Sequence, residues 1–473
     1  MKLPQPPFEQ AQPPERLSEK AVEKPTEKPI EKPLKHSSKE PSYLFTPSFV
    51  PLFWVQFLGA FNDNVFKNAM IMLITFQLSN SSDETGLLIT LAAGLFILPF
   101  LLFSSLAGQL ADRYPKSLLI QKIKLTEVII MIFGAIALLN HELILLFITL
   151  FLMGSQSAFF GPIKYSVLPE ILQGKELIRA NGLFSGSTFM AILLGTILGG
   201  VGVLMPNGTV WISGGVIGLA LLGYVASLRL LPSQPQTPGL VVQWNLFKSS
   251  GSFIALCKAQ KVSFFAVLAI SWFWFLGAVM LSQIPTLVKY HLFASEGVVT
   301  AFLAVFSVGI ALGSALIGRL LKPNFTLWAH GGLLFFISLL LGAMVWVIDH
   351  NAVLLALQGN EAELLSFHEF ILIWPLNALL VVLLLIAILG GAYIVPLYTL
   401  LQTQTPAKVR ARMIAVNNVL NALFMVLSAI LVMVGFVLSL SLLTILICLA
   451  VLNLGVAWWL QSRQSRLTIE SVQ

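Results

Sequence analysis

The chain has 473 residues, of which 57% are hydrophobic and only 10% charged, and it carries a formal net charge of +7. A soluble domain needs roughly 25% charged residues to wet its surface. A mean hydropathy of +0.87 therefore excludes an ordinary soluble globule and points to a surface that faces lipid. The basic excess sits in turns between apolar runs, which argues against a nucleic-acid partner; Cys257 and Cys448 lie in different halves with no metal or redox spacing.

Residues 1–46 are a different material from the rest. Glu23-Lys24-Pro25, Glu27-Lys28-Pro29 and Glu31-Lys32-Pro33 repeat every four residues, and apolar side chains are sparse. Such a segment buries too little surface to repay ordering, so a disordered, partly polyproline cytoplasmic arm is expected. It has no apolar stretch of its own near the start, so no signal peptide is expected. A tether and a docking arm are both compatible with it.

A helix needs roughly 20 apolar residues to cross the hydrocarbon core. That criterion predicts twelve spans, at 49–78, 86–111, 117–139, 143–162, 180–204, 210–230, 262–288, 297–319, 327–349, 371–400, 411–436 and 438–460. Alternate connections carry opposite charge. Arg113, Lys116, Lys122, Lys124, Lys175, Arg179, Arg229, Lys248, Lys258, Lys261, Arg319, Lys322, Lys408, Arg410, Arg412, Arg463 and Arg466 fall on one side. Asp83, Glu84, Glu142, Glu296, Asp349, Glu361, Glu363 and Glu369 fall on the other, with Lys289 as its only basic residue. Lysine and arginine favour the cytoplasmic side, which places both termini there. The expected divisions are the arm at 1–46, a six-helix bundle at 47–230, a cytoplasmic linker at 231–261, a second six-helix bundle at 262–461 and a tail at 462–473. Within the linker, 246–256 is a candidate interfacial helix.

Polar residues inside spans are functional candidates by default, since a charge at the bilayer centre costs about 2.5–3.5 kcal/mol on insertion scales. The first span is densest, with Gln56, Asn62, Asp63, Asn64, Lys67 and Asn68. Gln56, Asp63 and Lys67 recur at i, i+7 and i+11 on one face, and Asp63 and Lys67 are spaced to pair. Either they neutralise each other, or this face lines a cavity for a cation, a polar headgroup or a gate. Glu127 follows Lys124 by one turn, as a structural pair or as a protonatable coupling residue.

The fourth span ends Phe160-Gly161-Pro162-Ile163-Lys164-Tyr165, where Lys164 either meets an anionic group or snorkels to the interface. In the fifth, Asn181 accompanies Gly182/Gly186 and Gly195/Gly199, small-residue spacings that allow close helix contact. The second half carries no charge at the related place, only Tyr393, Tyr398, Gln402 and Gln404, with Asn417, Asn418 and Asn421 in the eleventh span.

The turn Gly108-Gln109-Leu110-Ala111-Asp112-Arg113-Tyr114-Pro115-Lys116 has a faded copy ending Gly318-Arg319-Leu320-Leu321-Lys322, one in each half, as in a duplicated transporter core. It resembles the signature between spans two and three of the major facilitator superfamily. That resemblance implies the all-α major facilitator fold of two six-helix bundles. It also implies that the turn's Asp and Arg relay charge to a helix end of the other bundle, so the gating set is Gly108, Asp112, Arg113, Lys116 and Arg319.

A longer resemblance covers almost the whole chain after the arm. Gln56-Phe57-Leu58-Gly59-Ala60-Phe61-Asn62-Asp63-Asn64, Phe160 to Pro169, Ala180-Asn181-Gly182 and Ala191 to Gly200 are similar to the lysophospholipid transporter family. It implies a bacterial inner-membrane flippase, not an enzyme. Membrane lipid is its surroundings, a lysophospholipid its substrate, Asp63 and Lys164 its functional Asp and Lys, and a separate acyltransferase a candidate partner. Some members pair the span-one Asp with an Arg in span seven; here Gly277 to Pro285 holds no cation, leaving Lys67 as the neutralising candidate. The Lys67 pattern most resembles transporter modules fused to acyl-glycerophosphoethanolamine acyltransferases. None of the six histidines begins an H-x-x-x-x-D motif, so no acyltransferase domain is expected.

Three functions follow: alternating-access flipping of lysophospholipids, a proton-driven facilitator or efflux pump for another solute, and a silent membrane partner recruiting an acyltransferase through the arm. The candidate substrate or coupling-ion residues are Gln56, Asn62, Asp63, Asn64, Lys67, Glu127, Lys164, Asn181, Tyr393 and Asn417. Neither cofactor nor metal is expected beyond Na+ or H+ as coupling ion, and a monomer is expected.

Overall fold

The computed structural model describes residues 46–78, 82–245, 255–320, 329–351 and 364–470, with the side chains of 82, 83, 86, 329 and 463–470 excepted. The arm up to residue 45, most of the candidate interfacial helix, and Lys248, Lys322, Glu361 and Glu363 lie outside the described residues.

Twelve long helices stand among the described residues: α1 (Val50–Leu73), α2 (Ser82–Arg113), α3 (Lys116–Asn140), α4 (Leu143–Ile171), α5 (Gly174–Gly202), α6 (Gly208–Leu228), α7 (Lys261–Tyr290), α8 (Glu296–Leu320), α9 (Ala329–Asp349), α10 (Leu376–Gln404), α11 (Arg410–Val437) and α12 (Leu442–Glu470). Eleven are long and apolar enough to cross a membrane by length and composition. The 24-residue α1 is not among them, because its polar cluster interrupts the apolar run. The chain is a multi-pass membrane protein.

Several helix ends differ from the sequence expectation, and proline accounts for two. The α4 helix passes through Pro162 and Pro169 to Ile171 instead of stopping at 162. Packed neighbours in a membrane bundle can satisfy the backbone groups a proline frees. Lys164 therefore lies within a helix rather than beyond its end. The expected span 371–400 is two elements, a short helix Phe367–Leu372 and then α10, parted at Trp374-Pro375. Ser366 caps the short helix, and its hydroxyl and backbone N–H hold the exposed Glu369 carboxyl below its usual range. The α5 helix starts at Gly174 rather than 180, bringing Lys175 and Arg179 into its first turns.

Helix α1 packs on α5 and α6, α2 on α4, and α3 on α4 and α6. In the other half α7 packs on α10 and α11, α8 on α10, and α9 on α10 and α12. The second bundle holds one continuous apolar core from Phe265 to Leu460, into which Ile178 and Phe189 of α5 insert. The first bundle holds two, one around Phe66, Met131 and Leu150, the other around Leu52, Phe160 and Phe184. A polar layer divides them.

The bundles meet at the end marked by Arg113, Lys116, Arg319 and Arg410, called here the basic end. Helix α2 packs on α11, α5 on α8, and α10 on α5. Gly108 is required by this approach: a Cβ there would stand 2.7 Å from the Ala415 Cβ and 2.9 Å from the Arg412 Cα. Of the small-residue pairs in α5, Gly182 and Gly186 face Ser314 and Ala311 of α8, whereas Gly195 faces Asn64 of α1. Among the described residues α1 is not packed closely on α7, in contrast to α2 on α11 and α5 on α8.

Candidate functional site

The polar layer of the first bundle is built around a buried ion pair. Lys124 Nζ lies 2.6 Å from Glu127 Oε2, and both side chains are essentially inaccessible. Lys124 also stands over the Phe160 ring, 5.2 Å from its centroid. Space for its ammonium comes from Gly59, where a Cβ would collide with Nζ. Removing two charges from water is costly unless their remaining hydrogen-bonding capacity is met. Asn62 Nδ2 donates to Glu127 Oε1 at 3.2 Å, and Gln156 Nε2 donates to Oε2 at 2.9 Å.

Asp63 adjoins this pair without an ionic partner of its own. Ser157 Oγ donates to its Oδ2 at 2.6 Å, while its Oδ1 is buried and unpartnered. The expected Asp63–Lys67 pair does not form: the five ion pairs among the described residues include neither residue. Lys67 instead lies over the Phe96 ring at 5.7 Å. Lys164 has no ion pair either and rests against Phe160 and Tyr165, 5.6 and 5.2 Å from their centroids.

On α4, Ser157, Gly161, Lys164 and Tyr165 follow at helical spacing and share one face. That face is turned to the other bundle, because Gly161 abuts Asn418 and Tyr165 stacks on Tyr398, with centroids 4.5 Å apart. At 1.5 Å per residue, Asp63 and Ser157 both lie about 20 Å from the basic ends of their helices, and Lys164 about 10 Å. An anion and a cation, neither in an ion pair among the described residues, thus sit at two depths along the face of the first bundle that meets the second. The contact between the bundles here is aromatic: Tyr165 and Tyr398 stack, Trp274 Nε1 donates to Tyr398 Oη at 3.4 Å, and Phe189 stacks on Trp274 at 6.4 Å.

The other expected site residues are placed elsewhere. Gln56 does not share a setting with Asp63; its amide donates to the Phe184 carbonyl, Ser187 and Thr188, tying α1 to α5. Asn64 bonds back to the Ala60 carbonyl at the α1–α5 crossing. Asn181 forms a reciprocal amide pair with Gln402, at 2.6 and 3.1 Å, closing the basic end. Tyr393 is fully enclosed, its hydroxyl donating to the Ala269 carbonyl at 3.0 Å, so it braces the second bundle. Asn417 is buried beside Asn421; turned to satisfy its neighbours, the Asn421 amide accepts from Asn417 Nδ2 at 3.0 Å and Trp274 Nε1 at 3.3 Å.

The gating set divides. The buried Asp112 accepts the Ala411 N–H at the start of α11 (3.3 Å) and pairs with Arg412 at 2.9 Å. A carboxylate at a helix N-terminus is stabilised by the exposed N–H groups and the helix dipole. Arg113 instead lies over Tyr114, Lys116 pairs with Glu170 inside its own bundle at 2.6 Å, and Arg319 is exposed with no ion pair among the described residues. The described first part of the linker, up to residue 245, is pinned to the first bundle. Thr237 N donates to the Asp112 carbonyl at 2.8 Å, and Gln243 N to Gln109 Oε1 at 2.8 Å. Arg412, Gln156 and Ser157 were not singled out from sequence. The signal for the last two was present, a polar pair inside the apolar fourth span.

Residues 52–429 match the sequence profile of the Major Facilitator Superfamily. The chain belongs to that family. It is similar to the lysophospholipid transporter LplT of Shigella flexneri serotype 5b (strain 8401), 27% identical over 371 residues that cover 77% of this chain and 82% of that one. With LplT of Escherichia fergusonii it shares 28% identity over 372 residues, with the same coverage. The fold is similar to that of a bacterial homologue of the iron transporter ferroportin in an outward-facing state. That match has a TM-score of 0.63 and 14% identity, covering 88% of this chain and 98% of that one. The transporter FucP in its outward conformation also gives a TM-score of 0.63, with 13% identity, covering 90% and 99%. This facilitator is a transporter, not an enzyme.

Proposed function

We propose that this facilitator flips lysophospholipids across a bacterial inner membrane by alternating access, with the basic end cytoplasmic and a cleft between the bundles open outward. The observation that carries the reading is the pair of opposite charges, Asp63 and Lys164, in no ion pair among the described residues and set along the face where α4 meets the second bundle. A zwitterionic headgroup would set its ammonium at Asp63 and its phosphate at Lys164. Moving the tail through water would cost about 0.8 kcal/mol per CH₂, or roughly 12 kcal/mol for fifteen methylenes. The tail therefore stays in lipid while the headgroup crosses the polar cleft. The similarity to lysophospholipid transporters supports the same substrate class. Asp63 is the group on which a coupling H+ or Na+ would act, and the product on the inner side would suit a separate acyltransferase.

The test is flipping of a labelled lysophospholipid by purified protein in liposomes, with and without cation gradients. Asp63→Asn and Lys164→Gln are each expected to lower transport at least tenfold while the protein still reconstitutes. Wild-type protein that leaves lysolipid in place but exchanges a soluble solute for protons would overturn the reading in favour of a solute facilitator.

A further inference from the structure

The hydrogen bonds around Ser157 contain one acceptor too many. Ser157 Oγ lies 2.6 Å from Asp63 Oδ2 and 3.2 Å from Gln156 Oε1. The Gln156 amide cannot turn round, because its nitrogen is held 2.9 Å from the Glu127 carboxylate, itself fixed by Lys124. Ser157 therefore faces two oxygens with a single hydroxyl hydrogen. With Asp63 ionised the hydrogen belongs to the carboxylate, the closer and charged acceptor, and Gln156 Oε1 goes without. This arrangement turns Oδ2 toward α4 and leaves Oδ1 bare.

We propose that Ser157 is a positioning residue that gives Asp63 its preference for a cationic headgroup group, namely a primary ammonium; the inference rests on the headgroup reading above. Two consequences follow from one hydroxyl. Its hydrogen bond fixes one carboxylate oxygen and leaves the other without a partner for the ammonium to meet. An arriving ammonium brings hydrogens of its own, so the Ser157 hydroxyl is released to Gln156 Oε1, completing the chain through Gln156 to Glu127 and Lys124. Binding of an ammonium thus removes the shortage; glycerol hydroxyls can donate as well, but without the positive charge that makes the bond to a carboxylate strong. Neither Lys67, over Phe96, nor Lys164, over Tyr165, ion-pairs with Asp63 in place of the ligand.

The experiment compares full-length wild type, Ser157→Ala and Ser157→Thr in liposomes. It measures half-saturating concentrations for lysophosphatidylethanolamine, which has the ammonium, and lysophosphatidylglycerol, which lacks it. Ser157→Ala is expected to raise the ethanolamine-to-glycerol ratio of these concentrations about tenfold, the weight of one hydrogen bond to a charged group. Ser157→Thr, which keeps the hydroxyl, is expected to return the ratio to the wild-type value. A general structural defect would shift both lipids together and leave the ratio unmoved, and that result would overturn the proposal, as would failure of the threonine variant to restore it. Wild type that moves neither lipid would remove the headgroup reading itself, and this inference with it.

Discussion

The two bundles share an architecture and have solved opposite problems. The second is filled by one continuous apolar core, and its buried polar bonds join neutral groups, as in Tyr393 to the Ala269 carbonyl and Trp272 to Asn453. The first splits its core to admit Asp63, Lys67, Lys124, Glu127 and Lys164, three cations against two anions, of which only Lys124 and Glu127 are paired. Neutral networks brace without attracting ions, while charges without an ion pair are what the proposed function assigns to an outside partner. The comparison teaches that the halves divide the work. On the proposed reading, one supplies the charges that meet the headgroup, and the other supplies the apolar and aromatic surface it packs against.

The sharpest way to break that contrast is to treat the first bundle as though it were the second. Lys124→Met leaves Glu127 buried and uncompensated, which costs about 3–5 kcal/mol. A large fall in thermal unfolding temperature in detergent is expected. The double variant Lys124→Met/Glu127→Leu removes both charges and is expected to recover most of the loss. Equal stability of single and double variants would show that this pair is not a structural prop. Next in size is the seam. Asp112→Asn gives up the charge bonded to Arg412 and weakens the cap on α11, worth about 1.5–3 kcal/mol. Labelling of a cysteine placed at Thr399, beside Asn181 at the closed end, is expected to rise about tenfold or more as the basic end opens more often. No change would mean that Asp112 does not bias access.

What could be seen in the sequence was whatever depends on local pattern. The apolar runs marked twelve spans, of which eleven are helices long and apolar enough to cross a membrane, and the charge alternation separated the basic from the acidic end, because lipid exposure acts on each segment alone. Prolines misled at α4 and α10 in opposite ways. Neighbouring helices decide whether a freed carbonyl is tolerated, and no single segment records its neighbours. The cluster in α1 was visible as composition, but its partners were not. The helical period puts Gln56 and Asp63 on one face, yet Gln56 reaches Phe184 on α5 and Asp63 reaches Ser157 on α4. Likewise Asp63 and Lys67 are correctly spaced, but a serine and an aromatic ring from other helices outcompete the pairing. Asp112 was marked as a gate, though its guanidinium partner is Arg412, 300 residues on.

The smallest expected effect separates a bond within one bundle from a bond between them. The segment after α6 is fastened to the first half by Ser233 to Ser117, Thr237 N to the Asp112 carbonyl and Gln243 N to Gln109. It reaches the second half through Thr237 Oγ1, which donates to the Lys408 carbonyl at 3.2 Å. Thr237→Val keeps the branched shape and the backbone bond to Asp112 while deleting only that crossing. A neutral hydrogen bond contributes about 0.5–1.5 kcal/mol, so labelling of the Thr399→Cys reporter is expected to rise by a few-fold, well short of Asp112→Asn. Ser233→Ala loosens the same strap inside one bundle, and there the reporter should not move. If Ser233→Ala opens the basic end as far as Thr237→Val does, the strap acts by bracing α3 rather than by bridging the halves, and the seam is held by Asp112 and the packed helices alone.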